Sequence, residues 1–219
     1  MNLPLDILDI ISSYSDIIFI LKISCLSKNL QSTIIIKDLS NLDKKFKKRL
    51  TEKILKQKKY KYLEKLNLQD NHKIKNINYL KNLEELDCSY LSSINDDSIN
   101  KLINLKKLNI SHNDNFIDLN KLINLEELNC SFNNLITCNS IKKLNKLKKL
   151  IAVDCKNIRN ISMLINLEYL DCSYSCKIMP IDLYCLNKIK WIRIARNQIF
   201  CNMVVRDHFR KAGIQIISY

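Results

Sequence analysis

The side chains able to do chemistry are few. The 219-residue chain has three histidines, His72, His112 and His208, and nine cysteines. No two histidines have the separation of a metal-binding pair. The cysteine number is odd, no C-x-x-C occurs, and Cys172-x-x-x-Cys176 has no second ligand pair to complete a zinc site. A phosphate-cradling loop needs several glycines, and Gly213 is the only one. No nucleophile is set beside a base. The residues therefore call for no metal, no cofactor and no enzymatic activity. Cys88, Cys130 and Cys172 instead return every 42 residues. That regularity reads as a packing position, filled by reduced thiols acting as small hydrophobes.

The frame behind this regularity runs from residue 63 to residue 197. The segment Leu63-x-x-Leu66-x-Leu68-x-x-Asn71 recurs from Leu83, Leu105, Leu125, Leu147, Leu167 and Ile189, at alternating spacings of 20 and 22 residues. The pattern matches the L-x-x-L-x-L-x-x-N/C signature of a leucine-rich repeat. Such a unit cannot bury its own apolar edge, so stacked neighbours share one core. Cys88, Cys130 and Cys172 fill the third apolar position. The ninth position holds Asn71, Asn113, Asn133 and Asn197, with Cys155 as the permitted alternative; Leu91 and Ser175 depart from it. The longer repeats leave room for a helical turn starting near Asp96, Asn139 and Pro180. The expected fold is an α/β leucine-rich-repeat solenoid, with a curved parallel sheet over residues 62–200. Its convex side carries short helical or 3-10 turns. A last helix near 203–211, stopped at Gly213, and a degenerate strand would cap it over 201–219.

Strand residues alternate, so those between the repeating leucines point to the concave face. They form columns. The first is Lys65, Glu85, Lys107, Glu127, Lys149, Tyr169, Trp191; the second is Asn67, Asp87, Asn109, Asn129, Ile151, Asp171, Arg193. A third, just before the asparagine, is Asp70, Tyr90, His112, Phe132, Asp154, Tyr174, Arg196. Aromatics on a solvent-facing surface are typical binding anchors. Tyr90, His112, Phe132, Tyr174, Tyr169 and Trp191, with the recurring acids Asp87 and Asp171, are the candidate partner-binding residues. The alternative is that the aromatics lean over neighbouring strands and shield the sheet.

Composition agrees. One glycine and two prolines permit few sharp turns, which suits a solenoid better than a sandwich or a dinucleotide-binding domain. The longest early apolar run, residues 17–21, lies between Asp16 and Lys22 and is far too short to span a membrane. No secretory leader is visible, so an intracellular, cytoplasmic location is expected. The net charge is +14, and twelve cations against four acids place +8 of it within residues 37–65. This stretch, residues 38–61, reads as a basic connector helix with a stripe of Leu42, Phe46, Leu50 and Ile54. It is either a nucleic-acid or anionic-surface patch or a solvated helix face. Scarce arginine and the absence of interleaved aromatics favour the second, which makes nucleic acid an unlikely partner.

Residues 1–37 do not follow the repeat, and their apolar spacing is helical. Leu3-Pro4, Asp6, Ile7-Leu8, Ile11, Ser13-Tyr14, Asp16, Ile20, Lys22 and Leu26-Ser27-Lys28 fall in step with one family pattern. The stretch resembles an F-box. Ser15, residues 17–19 and Leu30 depart from that pattern. The resemblance implies docking on the Skp-type adaptor of a cullin–RING ubiquitin ligase through Leu3, Pro4, Ile7, Leu8, Ile11 and Ile20. The whole chain then resembles an F-box and leucine-rich-repeat protein: a monomeric substrate-recognition subunit with a protein substrate on the concave face. The alternative is a helical cap on a stand-alone scaffold. Strands such as Leu128-Asn129-Cys130-Ser131-Phe132-Asn133 resemble repeats encoded by large DNA viruses of amoebae, which would place the protein in a host-cell cytoplasm.

Overall fold

A computed structural model describes residues 35–42, 44–197, 200 and 203–218. The F-box-like positions Leu3, Pro4, Ile7, Leu8, Ile11 and Ile20 lie outside these residues. The strands are β1 (Asp38–Leu39), β2 (Lys65–Asn67), β3 (Glu85–Asp87), β4 (Lys107–Asn109), β5 (Glu127–Asn129), β6 (Lys149–Ile151), β7 (Tyr169–Asp171), β8 (Trp191–Arg193) and β9 (Gln215–Ile217). They pair in chain order as one parallel sheet. The register is set by the second leucine of each repeat: Leu66 pairs with Leu86, Leu86 with Leu108, Leu108 with Leu128, and so on to Ile192 and Ile216. A one-residue slip would turn every one of these side chains to solvent.

Behind the sheet the repeat positions stack into a continuous core. Leu63, Leu83, Leu105, Leu125, Leu147 and Leu167 are buried, as are Leu68, Cys88, Ile110, Cys130, Ala152 and Cys172. Each aliphatic side chain so placed contributes about 1.5–3 kcal/mol before entropic costs. Cys155 takes the place of the asparagine and donates its thiol to the Cys130 carbonyl at 2.9 Å. Burial pushes the thiols of Cys88 and Cys172 well up, and that of Cys176 to about 12. The hydrogen bond from Cys155, followed by burial, raises that of Cys130.

Helices follow β3 and β5, as the long repeats lead one to expect. They are numbered α3 and α4 here, after two short helices, α1 (Lys44–Arg49) and α2 (Glu52–Leu55), that precede the repeats. α3 (Asp96–Ile99) is capped one residue earlier than expected: Asn95 accepts from the Ser98 N–H, and Ser98 Oγ accepts from the Asn95 N–H. Asp96 instead accepts from the N–H groups of Ile117 and Asp118 in the next repeat. α4 (Cys138–Ile141) starts from Thr137 rather than Asn139, and Pro180 opens a 3-10 turn (Pro180–Leu183) after β7. The last helix, α5 (Met203–Lys211), ends before Gly213, whose φ is +78°.

The connector departs from the expected single helix. β1 joins the sheet edge, with Leu39 opposite Leu66. α1 stops at Arg49, and Thr51, in an extended conformation, restarts the chain as α2 by accepting from the Ile54 N–H. A 3-10 turn (Lys58–Tyr60) follows. The break lets Ile36, Leu39, Leu42, Leu50, Leu55 and Tyr60 all enter the core beside Leu63, which one straight helix could not do. The stretch is thus a degenerate first repeat.

Candidate interaction surface

The concave face is built from side chains that the strands hold outward at every second position. In the first column, Lys65 pairs with Glu85 at 3.0 Å and Lys107 with Glu127 at 3.1 Å, while Lys149 lies 4.0 Å from Glu127. The hydrogen bonds and charges of Glu85 and Glu127 raise the pKa values of Lys65 and Lys107. A parallel row on the edge repeats the device, with Lys106–Glu84, Lys148–Glu126 and Lys190–Glu168 at 2.6–2.9 Å. Exposed pairs of this kind are screened by solvent and add little to stability, so their main effect is to neutralise the face.

The second column turns its carbonyl oxygens back on the chain. Asn67 accepts from the N–H of Gln69, Asn109 from Ser111 and Asn129 from Ser131. This leaves the amide nitrogens of Asn67 and Asn129 for the groove, whereas that of Asn109 is given to Asp87. The two candidate acids behave alike. Asp87 accepts from Ser89 N–H and Oγ and from Asn109 Nδ2. Asp171 is buried, accepts from the Ser173 N–H, and lies 3.6 Å from Arg193 Nη1. Asp171 is therefore not the exposed contact group expected from its column, because its own turn and Arg193 enclose it. A shallow groove of about 280 Å³ runs along β2–β6 over these residues.

The third column is where the chain leaves each strand. All seven of its residues have left-handed backbone, with φ between 54° and 62°: Asp70, Tyr90, His112, Phe132, Asp154, Tyr174 and Arg196. This conformation costs roughly 1–2 kcal/mol for a residue with a Cβ. It is held because the residue's N–H reaches the next repeat, as in Tyr90 to the Ser111 carbonyl and Phe132 to the Val153 carbonyl. The ninth-position asparagine then closes the turn from inside. Asn133 donates Nδ2 to the Asn113 carbonyl and accepts from the N–H groups of Leu135 and Ile136. No β-branched residue occupies the column in a chain rich in isoleucine. That absence is the sequence signal for the left-handed turn.

The turn also fixes where the rings go. Tyr90 stacks on His112 with centroids 5.0 Å apart and planes 16° apart, and His112 stacks on Phe132 at 4.3 Å and 12°. These spacings track the ~4.8 Å between neighbouring strands. Asp154 interrupts the row, after which Tyr174 carries the guanidinium of Arg196 over its face at 5.8 Å. Tyr90, Phe132 and Tyr174 remain 40–45% exposed, so they lie along the edge of the sheet and outside the core. Tyr169 and Trp191 lie side by side in the first column, with Lys149 Nζ 5.4 Å from the Tyr169 ring. Among the described residues no cluster of histidine, cysteine or acid could hold a metal ion. Among them, too, no helix is long and apolar enough to cross a membrane.

No protein-family model matches the sequence, and no curated protein does either. Solved structures do. The internalin C2 of Listeria monocytogenes superposes with a TM-score of 0.60 at 23% identity, covering 89% of this chain and 84% of that one. The functional domain of InlJ from the same organism, described as including a cysteine ladder, gives 0.54 at 19% identity over 88% of this chain and 40% of that one. The internalin inlF of Listeria monocytogenes gives 0.52 at 20% identity over 73% of this chain. The present chain spans about half of the inlF chain, 48%. What the chain shares with them is the fold, a leucine-rich-repeat solenoid with one parallel strand per repeat.

Proposed function

We propose that the chain is a protein-binding scaffold whose concave face and aromatic edge hold a protein partner. In this reading residues 1–37 dock it on the Skp-type adaptor of a cullin–RING ligase, making it the substrate-recognition subunit of an SCF-type complex. The observation that carries the binding half is the exposed row Tyr90–His112–Phe132, continued by Tyr174, which the left-handed turns hold at one edge. The adaptor half rests on the F-box resemblance and on one argument from packing. The N-terminal end of the core already has a closing layer in Ile36, Leu39, Leu42, Leu50, Leu55 and Tyr60. A segment needed only as a cap would be redundant there. The mechanism is proximity: the bound substrate's lysines are held at high local concentration near the ligase. In this reading the ligase supplies the catalytic groups, and the chain acts in the cytoplasm, of a host cell if the viral resemblance of its repeats holds.

The test is a pull-down of purified Skp-type adaptor by the full chain, by residues 35–219, and by the double variant Leu8→Asp, Ile11→Asp, with circular dichroism confirming that all are folded. Capture by the full chain alone, unchanged by added salt, is the expected result. Failure of all three folded proteins would leave a stand-alone scaffold. Capture that fades steeply with salt would indicate the lysines of α1 and α2 instead.

A further inference from the structure

We infer that the last two repeats of the concave face, around Trp191 and Arg193, are the contact point for an extended peptide bearing a carboxylate beside an aromatic or aliphatic side chain. This deepens the proposed function and rests on its reading of the concave face as the binding surface.

The argument starts from a break in the alternation. From β2 to β6 the first column runs Lys65, Glu85, Lys107, Glu127, Lys149, and each charge meets its opposite in the next strand. Continuing the rule would place Glu on β7 and Lys on β8. Tyr169 and Trp191 stand there instead. Trp191 is 41% exposed on the side of the sheet away from the core, so packing of the solenoid does not require it. In the second column an arginine, Arg193, replaces the amides, and in the third Arg196 follows the aromatics. Tryptophan, tyrosine and arginine are the residues that dominate binding energy at protein interfaces.

Charge supplies the partner's chemistry. Along β2–β6, Lys65, Lys107 and Lys149 are balanced by Glu85, Asp87 and Glu127. Beyond β6 the balance fails. The side chain of Asp171 is only 5% exposed, whereas that of Arg193 is 47% exposed and touches Asp171 through one nitrogen at 3.6 Å. Arg196 lies over Tyr174 and has no acidic partner among the described residues. Both guanidiniums thus contact a side chain of the preceding repeat on one side and remain exposed on the other, and an exposed guanidinium can receive a carboxylate in bidentate fashion. Tyr169 and Trp191 offer the neighbouring apolar contact. The outward amide nitrogens of Asn67 and Asn129 can take carbonyl oxygens of an extended backbone. A nucleic acid lying along the same groove would meet as many acids as lysines, with no net attraction for a run of phosphates, which favours a peptide with a single localised negative charge.

The test pans a displayed library of short random peptides on the full chain and measures enriched peptides, made synthetically, by fluorescence anisotropy. The expected outcome is enrichment of Asp or Glu close to Trp, Phe or Leu. Affinity should fall about tenfold or more in Trp191→Ala and in the double variant Arg193→Gln, Arg196→Gln. It should hold in Lys121→Ala, and Arg193→Glu should recover binding of a peptide whose acid is replaced by lysine. Peptides that depend on Tyr90 and Phe132 but not on Trp191 or the arginines would overturn this inference while leaving the concave face and its edge as the binding surface. Enriched peptides lacking a carboxylate, or no enrichment at all, would also overturn it, as would tighter and arginine-dependent binding of a single-stranded oligouridine. The adaptor pull-down judges the rest of the proposed function separately.

Discussion

Replacing Asn133 by alanine removes more than its size suggests. The side chain is fully buried and makes three hydrogen bonds to the main chain: Nδ2 to the Asn113 carbonyl at 2.6 Å, and Oδ1 from the N–H groups of Leu135 and Ile136, each at 2.9 Å. The Leu135 residue is 43% exposed, so its N–H can be rehydrated. The Asn113 carbonyl and the Ile136 N–H belong to residues 2% and 0% exposed and would be left without a partner. Two stranded buried groups at about 1–3 kcal/mol each, with one lost exposed bond, give a cost of about 3–5 kcal/mol. That is a large part of the 5–15 kcal/mol expected of a domain, roughly. Asn166 is the control. It donates to the Asn145 carbonyl and accepts from Lys188 Nζ at the exposed edge, and its removal should cost under about 1 kcal/mol. Urea titration followed by far-ultraviolet circular dichroism reads both. A midpoint loss for Asn133→Ala no greater than that for Asn166→Ala would refute the assignment of the asparagine column as an internal brace. A fall in the slope of the transition would show that repeats on one side of the site had come apart separately.

Three further outcomes follow from the same geometry. His112→Asn and His112→Val both lose the two ring stacks, but Val should cost about 1 kcal/mol more than Asn because a β-branched side chain resists the left-handed region at φ 54°; thermal melts of the two variants decide this. Stability should fall as pH rises above the ordinary thiol value of 9.0. The unfolded chain then releases protons from Cys88, Cys130, Cys172 and Cys176, which the fold holds protonated, and each thiol contributes a loss of about 1.4 kcal/mol per pH unit until its folded pKa is reached, about 12 for Cys176. Urea midpoints between pH 8 and 11 test the sign, and alkylation read by mass spectrometry should label exposed Cys185 long before these four. Removing residues 105–146, a pair of repeats, brings Glu84 and Glu85 beside Lys148 and Lys149 and keeps the ladders. Removing 105–124 sets the same acids beside Glu126 and Glu127 and should give the less stable, more salt-dependent protein by urea titration.

The solenoid was legible because its determinants are periodic. The leucines that set the register, the thiols of the core and the asparagines of the turn each recur at fixed offsets, and their neighbours in space are their equivalents in the next repeat. What recurs less plainly was harder to see. Ile36-Lys37-Asp38-Leu39 carries the I-x-x-L start of a repeat, but 27 residues separate Ile36 from Leu63 and the helical stripe of Leu42 to Ile54 masks it. The left-handed turns were written only as a missing class of residue. Asp171 shares a column with Asp87, yet it is enclosed because Arg193 stands beside it where the equivalent neighbour of Asp87 is Asn109. Burial of that kind depends on a pair of columns and is not visible in either alone.

The parallel sheet imposes one rule on every outward column: a residue must tolerate its own equivalent at about 4.8 Å on either side. Asparagine satisfies the rule by itself, aromatic rings satisfy it by stacking, and lysine and glutamate satisfy it only in alternation. This accounts for the doubled, 42-residue period of the charged column on a backbone that repeats every 20 or 22 residues. It also separates two kinds of surface residue. Lys107 or Glu127 is explained by its neighbours, since each has a partner one strand away. Trp191 and Arg196 are not, because no stacking requirement of the sheet selects a tryptophan beside a tyrosine or an arginine over a tyrosine; Arg193 has Asp171 one strand away but stays 47% exposed while that acid is buried. Recognition in a solenoid of this type is therefore to be sought where the columns stop obeying the rule, and in this chain they stop at β7 and β8.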